Sequence, residues 1–293
     1  MTDPAPVAWT PLELVKRSAG YLADRGVASP RLDAELLLGH VLQLDRMGLY
    51  LDFARPLTTA EVDAYRDLIR RRGTRVPLQR LIGTATLLDL DLEMADGVFI
   101  PRPETESLIE LCKSLPFAPE APRQIVEVGT GSGAISIALL RHWPGADAHG
   151  FERNPAAVNL TNRNAARFEL EARLTVQAGD VFESACPACD LLVSNPPYIP
   201  SGEVAGLQPE VRDHDPHDAL DGGHDGLAFI RKLLRWGEEA LRPGGWVVLE
   251  HADGQESRIA ELLRAHGLEG IESQPDLAGR PRVIAGRRPH HGS

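Results

Sequence analysis

The tetrapeptide Asn195-Pro196-Pro197-Tyr198 follows directly on the apolar run Leu191-Leu192-Val193. An apolar run bounded by prolines reads as a fully buried strand. The tetrapeptide then sits at the strand's carboxyl end, where open α/β sheets bind their ligands. Two prolines remove two backbone N–H donors and fix φ, leaving a stiff loop whose carbonyls point outward. Asn195 adds a side-chain carbonyl and an NH2 group, and Tyr198 adds a flat face. Rigid acceptors beside an aromatic plane suit the gripping of a planar amino or amide NH2 group. Taken alone, the stretch reads as a Pro-rich turn; its neighbours reverse that reading.

A second constellation is Glu127-Val128-Gly129-Thr130-Gly131-Ser132-Gly133, which follows an apolar strand and opens a helix. Glycines there let the chain turn sharply and approach a ligand without a Cβ in the way. The pattern is ambiguous, because Gly129, Gly131 and Ala134 also satisfy the dinucleotide motif GxGxxA. Glu152, 19 residues past Gly133, ends the next strand. A carboxylate there can accept hydrogen bonds from both ribose hydroxyls of a nicotinamide or an adenosyl cofactor. Asp180, in Gly179-Asp180-Val181-Phe182, is placed behind the third strand for an adenine amino group. Three features separate the two cofactors. Glu127 suits a ligand ammonium, which S-adenosylmethionine has and NAD lacks; Asp180 suits the same ligand; and Asn-Pro-Pro-Tyr has no role in hydride transfer. Four successive strand ends carrying the right groups point to S-adenosylmethionine.

The elements that must position these residues are legible in outline. Residues 1–75 read as a helical unit. Thr10-Pro11-Leu12-Glu13 has capping-box spacing with Pro at the first helical position, and Leu12, Val15, Ala19 and Leu22 follow at helical spacing. Ser29-Pro30 starts a second helix whose apolar stripe includes His40, read as a packed core residue. Thr58 with Glu61 starts a third, closed by Arg70-Arg71-Arg72 as a solvated cationic helix end. Residues 76–103 read as a β-hairpin linker: Leu88, Leu90, Leu92 and Met94 alternate with acids, Asp96-Gly97 turns, and Val98-Phe99-Ile100 returns. From residue 104 to 289 strands and helices alternate, which predicts an α/β, Rossmann-like domain with a mostly parallel sheet. Its strands are expected at Ile125–Val128, Ala148–Glu152, Leu174–Gln177, Leu191–Ser194, Trp246–Glu250 and Arg282–Ala285. Residues 290–293 read as a disordered tail.

Bulk properties narrow the function classes. The chain has 293 residues, 43% of them apolar, 25% charged, and carries a net charge of −11. That is long enough for two domains. Residues 1–75 hold 11 Lys+Arg and 10 Asp+Glu against 20 and 32 in the remainder, so the catalytic half is acidic. Such a balance disfavours a duplex-DNA substrate, and no direct DNA binding is expected. Met1-Thr2-Asp3-Pro4 lacks the apolar core of a signal peptide, and no stretch approaches the length of a membrane helix. Three cysteines, sparse and odd in number, argue for a cytoplasmic location. Cys186 and Cys189 form a lone CxxC without further ligands. His214, His217 and His224 among Asp213, Asp215, Asp218, Asp221 and Asp225 mimic a metal site, yet match no standard spacing, so no metal is expected. His251, at a strand end, reads as structural.

Together these residues resemble the class I S-adenosylmethionine-dependent methyltransferases, and Asn-Pro-Pro-Tyr narrows the likeness to enzymes acting on amino or amide nitrogens. Phe99-Ile100-Pro101-Arg102-Pro103-Glu104-Thr105-Glu106 is similar to the signature of the bacterial peptide chain release factor glutamine N5-methyltransferases. Ala219 through Leu227, Leu241-Arg242-Pro243-Gly244-Gly245, and Leu249-Glu250-His251 followed by Gln255 fit the same family. The likeness spans residues 10–288. Two positions depart from it: Pro281 replaces an acid before Arg282-Val283, and Glu152 stands where Asp is common.

The resemblance implies a glutamine acceptor in the Gly-Gly-Gln motif of class 1 release factors, with Asn195, Pro196, Pro197 and Tyr198 catalytic. It implies that Glu127, Gly129, Thr130, Gly131, Ser132 and Gly133 cradle the amino-acid end of S-adenosylmethionine. Glu152 would take the ribose, Asp180 and Val181 the adenine, with Asn195 beside the cofactor. Phe99 and Arg102 would cover it, although Arg102 is equally a salt-bridged surface residue. The helical unit would dock the protein substrate. Ribosomal-protein glutamine methylation, adenine-N6 methylation of nucleic acid and a non-enzymatic adenosyl-ligand sensor remain as alternatives.

Overall fold

Three of the five described helix starts in the first unit are set by side chains that accept from free amides. The computed structural model describes residues 9–117, 121–276 and 278–290. Met1–Pro4 and residues 291–293 lie outside the described residues. Thr10 and Thr58 each form a reciprocal capping box, with Glu13 and Glu61. They open α1 (Pro11–Ala23) and, after α2 (Pro30–Leu42) and α3 (Arg46–Leu51), α4 (Thr59–Gly73). α3 was not foreseen; Asp45 caps it by accepting from the Gly48 amide at 2.7 Å. Its length, six residues, is too short for a periodic signal. Leu22, Leu37, Leu38 and Leu49 are fully buried at the centre of this unit with Tyr65.

Two expectations for this unit are corrected. Arg72 is not a solvated helix end: it is 6% exposed, and its Nε donates to Asp33 Oδ2 at 2.7 Å. Period analysis marks the run as charged; only the fold brings a buried carboxylate to meet its last member. The unit also continues past residue 75, through α5 (Leu78–Ile82), to Gly83. Pro77 is the N-cap residue of that helix.

Thr84 begins the second compact unit. The hairpin turns at Leu88-Asp89 rather than at Asp96-Gly97, between β1 (Thr84–Leu87) and β2 (Leu90–Glu93), and Val98–Ile100 is not a strand. Leu88 is the turn: its φ is +53°, and its amide donates to Glu106 Oε1 at 3.0 Å. Adjacent Leu87 and Leu88 disguised where the alternation begins. The hairpin is no linker, because Leu87, Leu90 and Leu92 bury themselves in one core with Leu108, Ile109 and Ile137.

The remaining elements are α6 (Glu104–Ser114), β3 (Gln124–Val128), α7 (Ala134–His142), β4 (Asp147–Glu152), α8 (Pro155–Arg167), β5 (Leu174–Ala178) and β6 (Cys189–Ser194). They are followed by α9 (Pro209–Arg212), α10 (Ala228–Gly237), β7 (Leu241–Glu250), α11 (Glu256–Ala265), β8 (Glu269–Pro275) and β9 (Pro281–Arg287). The sheet runs β5-β4-β3-β6-β7-β9-β8, parallel from β5 to β7, with β9 antiparallel to both neighbours. All six expected strands are present. β8 was missed because it is an exposed, polar edge strand with no apolar face to read.

Successive side chains of a strand point to opposite faces. Leu191 and Val193 join the layer of α6 and α7, while Leu192 joins that of α10 and α11. Both faces are therefore covered, which is why these strands read as continuous apolar runs. Strand order reverses at β3: β4 and β5 lie to one side, β6 and β7 to the other. A crevice outside the carboxyl ends of β3, β4 and β6 follows from that reversal.

Candidate active site

A cleft of about 600 Å3 opens at that reversal point. Every residue proposed from the sequence lines it except Gly133. Gly129 and Gly131 have φ of +81° and +56°, and the space where a Cβ would stand is open at both. Gly133, the N-cap of α7, instead faces Thr161, whose Cγ2 would lie 3.0 Å from an added Cβ. A side chain there would crowd the packing of α7 against α8. Thr130 Oγ1 lies 3.0 Å from Thr161 Oγ1, and the Thr130 methyl packs where a Gly150 side chain would have to be.

Three carboxylates stand at strand ends along this cleft or beside it. Glu127, 1% exposed, accepts from the Ser136 amide and hydroxyl through Oε2, while Oε1 has no partner among the described residues. Burial pushes its carboxyl up to about 8, against the pull of the Ser136 bonds. A buried carboxylate oxygen without a donor, facing a cleft, is the counterpart of a cationic ligand group. Glu152 accepts from Gly131 N at 3.0 Å and Asn154 N at 2.8 Å, one bond per oxygen, so acceptor capacity remains on each. Asp180 caps a short 3-10 turn through Phe182 N at 3.0 Å, and Val181 is buried behind it.

The acceptor loop leaves β6 immediately after Ser194 and is anchored from outside. Asn195 Nδ2 donates to Thr105 Oγ1 at 3.3 Å, and Thr105 Oγ1 donates to Glu250 Oε2 at 2.9 Å. Tyr198 donates its hydroxyl to Glu250 Oε1 at 3.1 Å, and its carbonyl accepts from Gln255 Nε2 at 2.8 Å. Asn195 Oδ1 and the Pro196 carbonyl take no donor among the described residues. Glu250 is wholly buried at the end of β7, and burial raises its carboxyl to about 7. Burial beside Glu250 also raises the Tyr198 phenol, so Tyr198 stays a donor. Neither Thr105 nor Glu250 was assigned a role from the sequence. The available signal was a carboxylate ending the apolar run Val247-Val248-Leu249, the same pattern that exposed Glu127.

Arg102 lines the cleft but spends its charge on Asp215, whose side chain is fully buried, and lies over the Phe99 ring at 5.2 Å. The salt-bridged reading of Arg102 is thus the one the geometry fits, and Phe99 is left as the lining face. The acidic segment after residue 212 is accounted for acid by acid: Asp213 meets Arg212, Asp218 meets Arg153, Asp221 accepts from Ser201 and Gly223, and Asp225 accepts from Arg231 and Arg258. Among the described residues no group of three or more His, Cys, Asp or Glu is arranged to hold a metal ion. His251 is buried with Nδ1 on the Ala252 carbonyl at 2.8 Å and Nε2 unpartnered among the described residues, and burial lowers its basicity.

A sheet in this order, with a glycine turn, an acidic strand end and an Asn-Pro-Pro-Tyr loop around one cleft, defines a class I methyltransferase. Comparison with known proteins agrees: residues 105–207 match the family model described as "Methyltransferase small domain", and residues 13–83 match "PrmC N-terminal domain". The chain belongs to the release factor glutamine methyltransferases. It is 41% identical to a protein of that name from Geobacter sulfurreducens, over 96% of this chain and 98% of the relative. With the one from Mycolicibacterium smegmatis it is 43% identical, over 94% and 96%. A solved methyltransferase structure from Pyrococcus furiosus shares the fold, with a TM-score of 0.50 at 18% identity over 70% of this chain and 91% of that one. Among the described residues no helix is long and apolar enough to cross a membrane.

Proposed function

We propose that this enzyme methylates the side-chain amide nitrogen, N5, of the glutamine in the Gly-Gly-Gln motif of class 1 peptide chain release factors. The observation that carries the reading is one cleft lined by both the glycine turn and the Asn195–Tyr198 loop. The names of its full-length relatives support the acceptor. S-adenosylmethionine supplies, when bound, a methyl group on a positively charged sulfur. The residues fit that ligand: the unpartnered Glu127 Oε1 would hold its ammonium, Glu152 its ribose hydroxyls, and Asp180 with Val181 its adenine. Gly129, Thr130, Gly131 and Ser132 would follow its amino-acid end, and Phe99 would cover it.

An amide nitrogen is a poor nucleophile, because its lone pair is delocalised into the carbonyl. Asn195 Oδ1 and the Pro196 carbonyl accept the two acceptor N–H groups, hold the nitrogen in line and stabilise positive charge developing on it. Tyr198 stacks on the amide plane. Positioning of this kind supplies ~7–11 kcal/mol, so a dedicated base is not required, and the proton leaves after transfer. The helical unit up to Gly83 would dock the release factor.

The test offers methyl-labelled cofactor with a release factor, its Gln→Ala variant, ribosomal protein and DNA. Label is expected on the intact release factor alone; label on ribosomal protein or DNA instead would overturn the acceptor assignment. Asn195→Ala should abolish transfer and leave cofactor binding in place.

A further inference from the structure

We propose that Thr105 and Glu250 form a positioning relay that fixes which end of the Asn195 amide faces the acceptor, with Tyr198 held by the same carboxylate. The inference rests on the reading that Asn195 Oδ1 receives the acceptor amide. An asparagine side chain has two nearly isosteric ends, one accepting and one donating. Rotated by half a turn, Asn195 would present NH2 to an acceptor NH2, donor against donor. Neither proline of the loop has a backbone N–H with which to prevent that rotation.

Direction is imposed from β7. An ionised carboxylate can only accept, so Glu250 Oε2 commits the single Thr105 proton to itself at 2.9 Å. The Thr105 oxygen is then left as an acceptor, and only the NH2 end of Asn195 can satisfy it, at 3.3 Å. Oδ1 is thereby turned to the cleft. Through its other oxygen Glu250 accepts from Tyr198 at 3.1 Å, which fixes the aromatic wall. Thr105 is 3% exposed and Glu250 fully buried, so water does not compete for these bonds. The relay joins the first turn of α6, the end of β7 and the loop after β6, through contacts 52 to 145 residues apart.

The relay has a protonation state on which it depends. Burial, aided by Glu104, raises the Glu250 carboxyl to about 7 against the opposing pull of Thr105, Tyr198 and Arg282. Once protonated, Glu250 can donate to Thr105 and no longer forces the hydroxyl's direction. The turnover number at saturating cofactor and substrate therefore falls as pH drops below about 7.

Thr105→Val, Thr105→Ser and Glu250→Gln are compared for kcat, for KM and for cofactor Kd. Thr105→Val keeps the shape and loses the hydroxyl; kcat is expected to fall roughly 10- to 100-fold with cofactor Kd unchanged, since small misplacements carry such costs. Thr105→Ser restores the hydroxyl and most of kcat. Glu250→Gln, which cannot ionise, runs at the wild-type low-pH rate and shows no rise through pH 7. Wild-type kcat in Thr105→Val, equal losses in the Val and Ser variants, or a retained pH rise in Glu250→Gln each overturn the relay. Should Thr105→Val fail to fold, Thr105→Ser and the Glu250→Gln profile still decide. Full turnover in Asn195→Ala is a different result: it removes the underlying reading rather than the relay alone.

Discussion

Cofactor affinity should depend on pH through Glu127. Its carboxyl is lifted to about 8 by burial, while a ligand ammonium beside Oε1 favours the ionised form. Binding therefore has to remove a proton wherever the free enzyme carries one, and affinity rises with pH up to about 8. Between pH 6 and 7 the ionised fraction rises roughly ninefold; the ligand's own amine, titrating near 8, trims the gain to roughly eightfold, or about 1.2 kcal/mol. Calorimetry with S-adenosylhomocysteine, which keeps the amino-acid end and lacks the reactive methyl, measures this directly. Titrations at both pH values in two buffers of different ionisation enthalpy should also register close to one proton released per ligand. In Glu127→Gln the affinity should be weaker by roughly 10- to 100-fold, the loss for a hydrogen bond to a charged group, and flat with pH. A wild-type Kd that does not change between pH 6 and 7, or a Gln variant that binds as well, would refute the reasoning. The same shift acts on stability. Because the folded pKa lies above the unfolded 4.5, the contribution is complete below 4.5 and is lost as pH rises toward about 8. Glu127→Gln should therefore gain thermal stability relative to wild type at pH 8 and not at pH 4.5.

Two further outcomes follow from packing and capping. Gly150→Ala places a Cβ 2.4 Å from the Thr130 methyl. It should cost about 1–3 kcal/mol of stability and weaken cofactor binding by displacing Thr130; adding Thr130→Ser removes the clashing methyl, and thermal melts with ligand titration read both. Thr58→Ala breaks the capping box of α4, whose Glu61 carboxyl is held low by Arg55 and by Thr58. The loss should be about 1 kcal/mol of unfolding free energy by urea titration, and Thr58→Ser should recover most of it.

Much of the chain was legible because its signals are local. Capping boxes at Thr10 and Thr58 are four-residue patterns, and the apolar runs of β3, β6 and β7 announce strands buried on both faces. The residues of the cleft could be named for a related reason: in a parallel sheet the functional groups stand at strand ends, so finding the strands finds the groups. Leu12 shows the limit of the same method. It was placed on the apolar stripe of α1, yet it is 50% exposed, and Leu14 takes the buried position. The hairpin shows another, since two adjacent leucines hid the residue at which the chain turns.

What the sequence determined, then, was which chemical groups this protein owns and which strand end or helix start each one occupies. Tertiary structure alone decided their partners. Arg72 finds Asp33, Arg102 finds Asp215, and Glu250 reaches Thr105 and Tyr198, all across separations that no periodicity records. A hydrogen bond is made over about three ångströms of space and is blind to distance along the chain, so only folding can tell an acid that holds the acceptor loop from one that merely faces water.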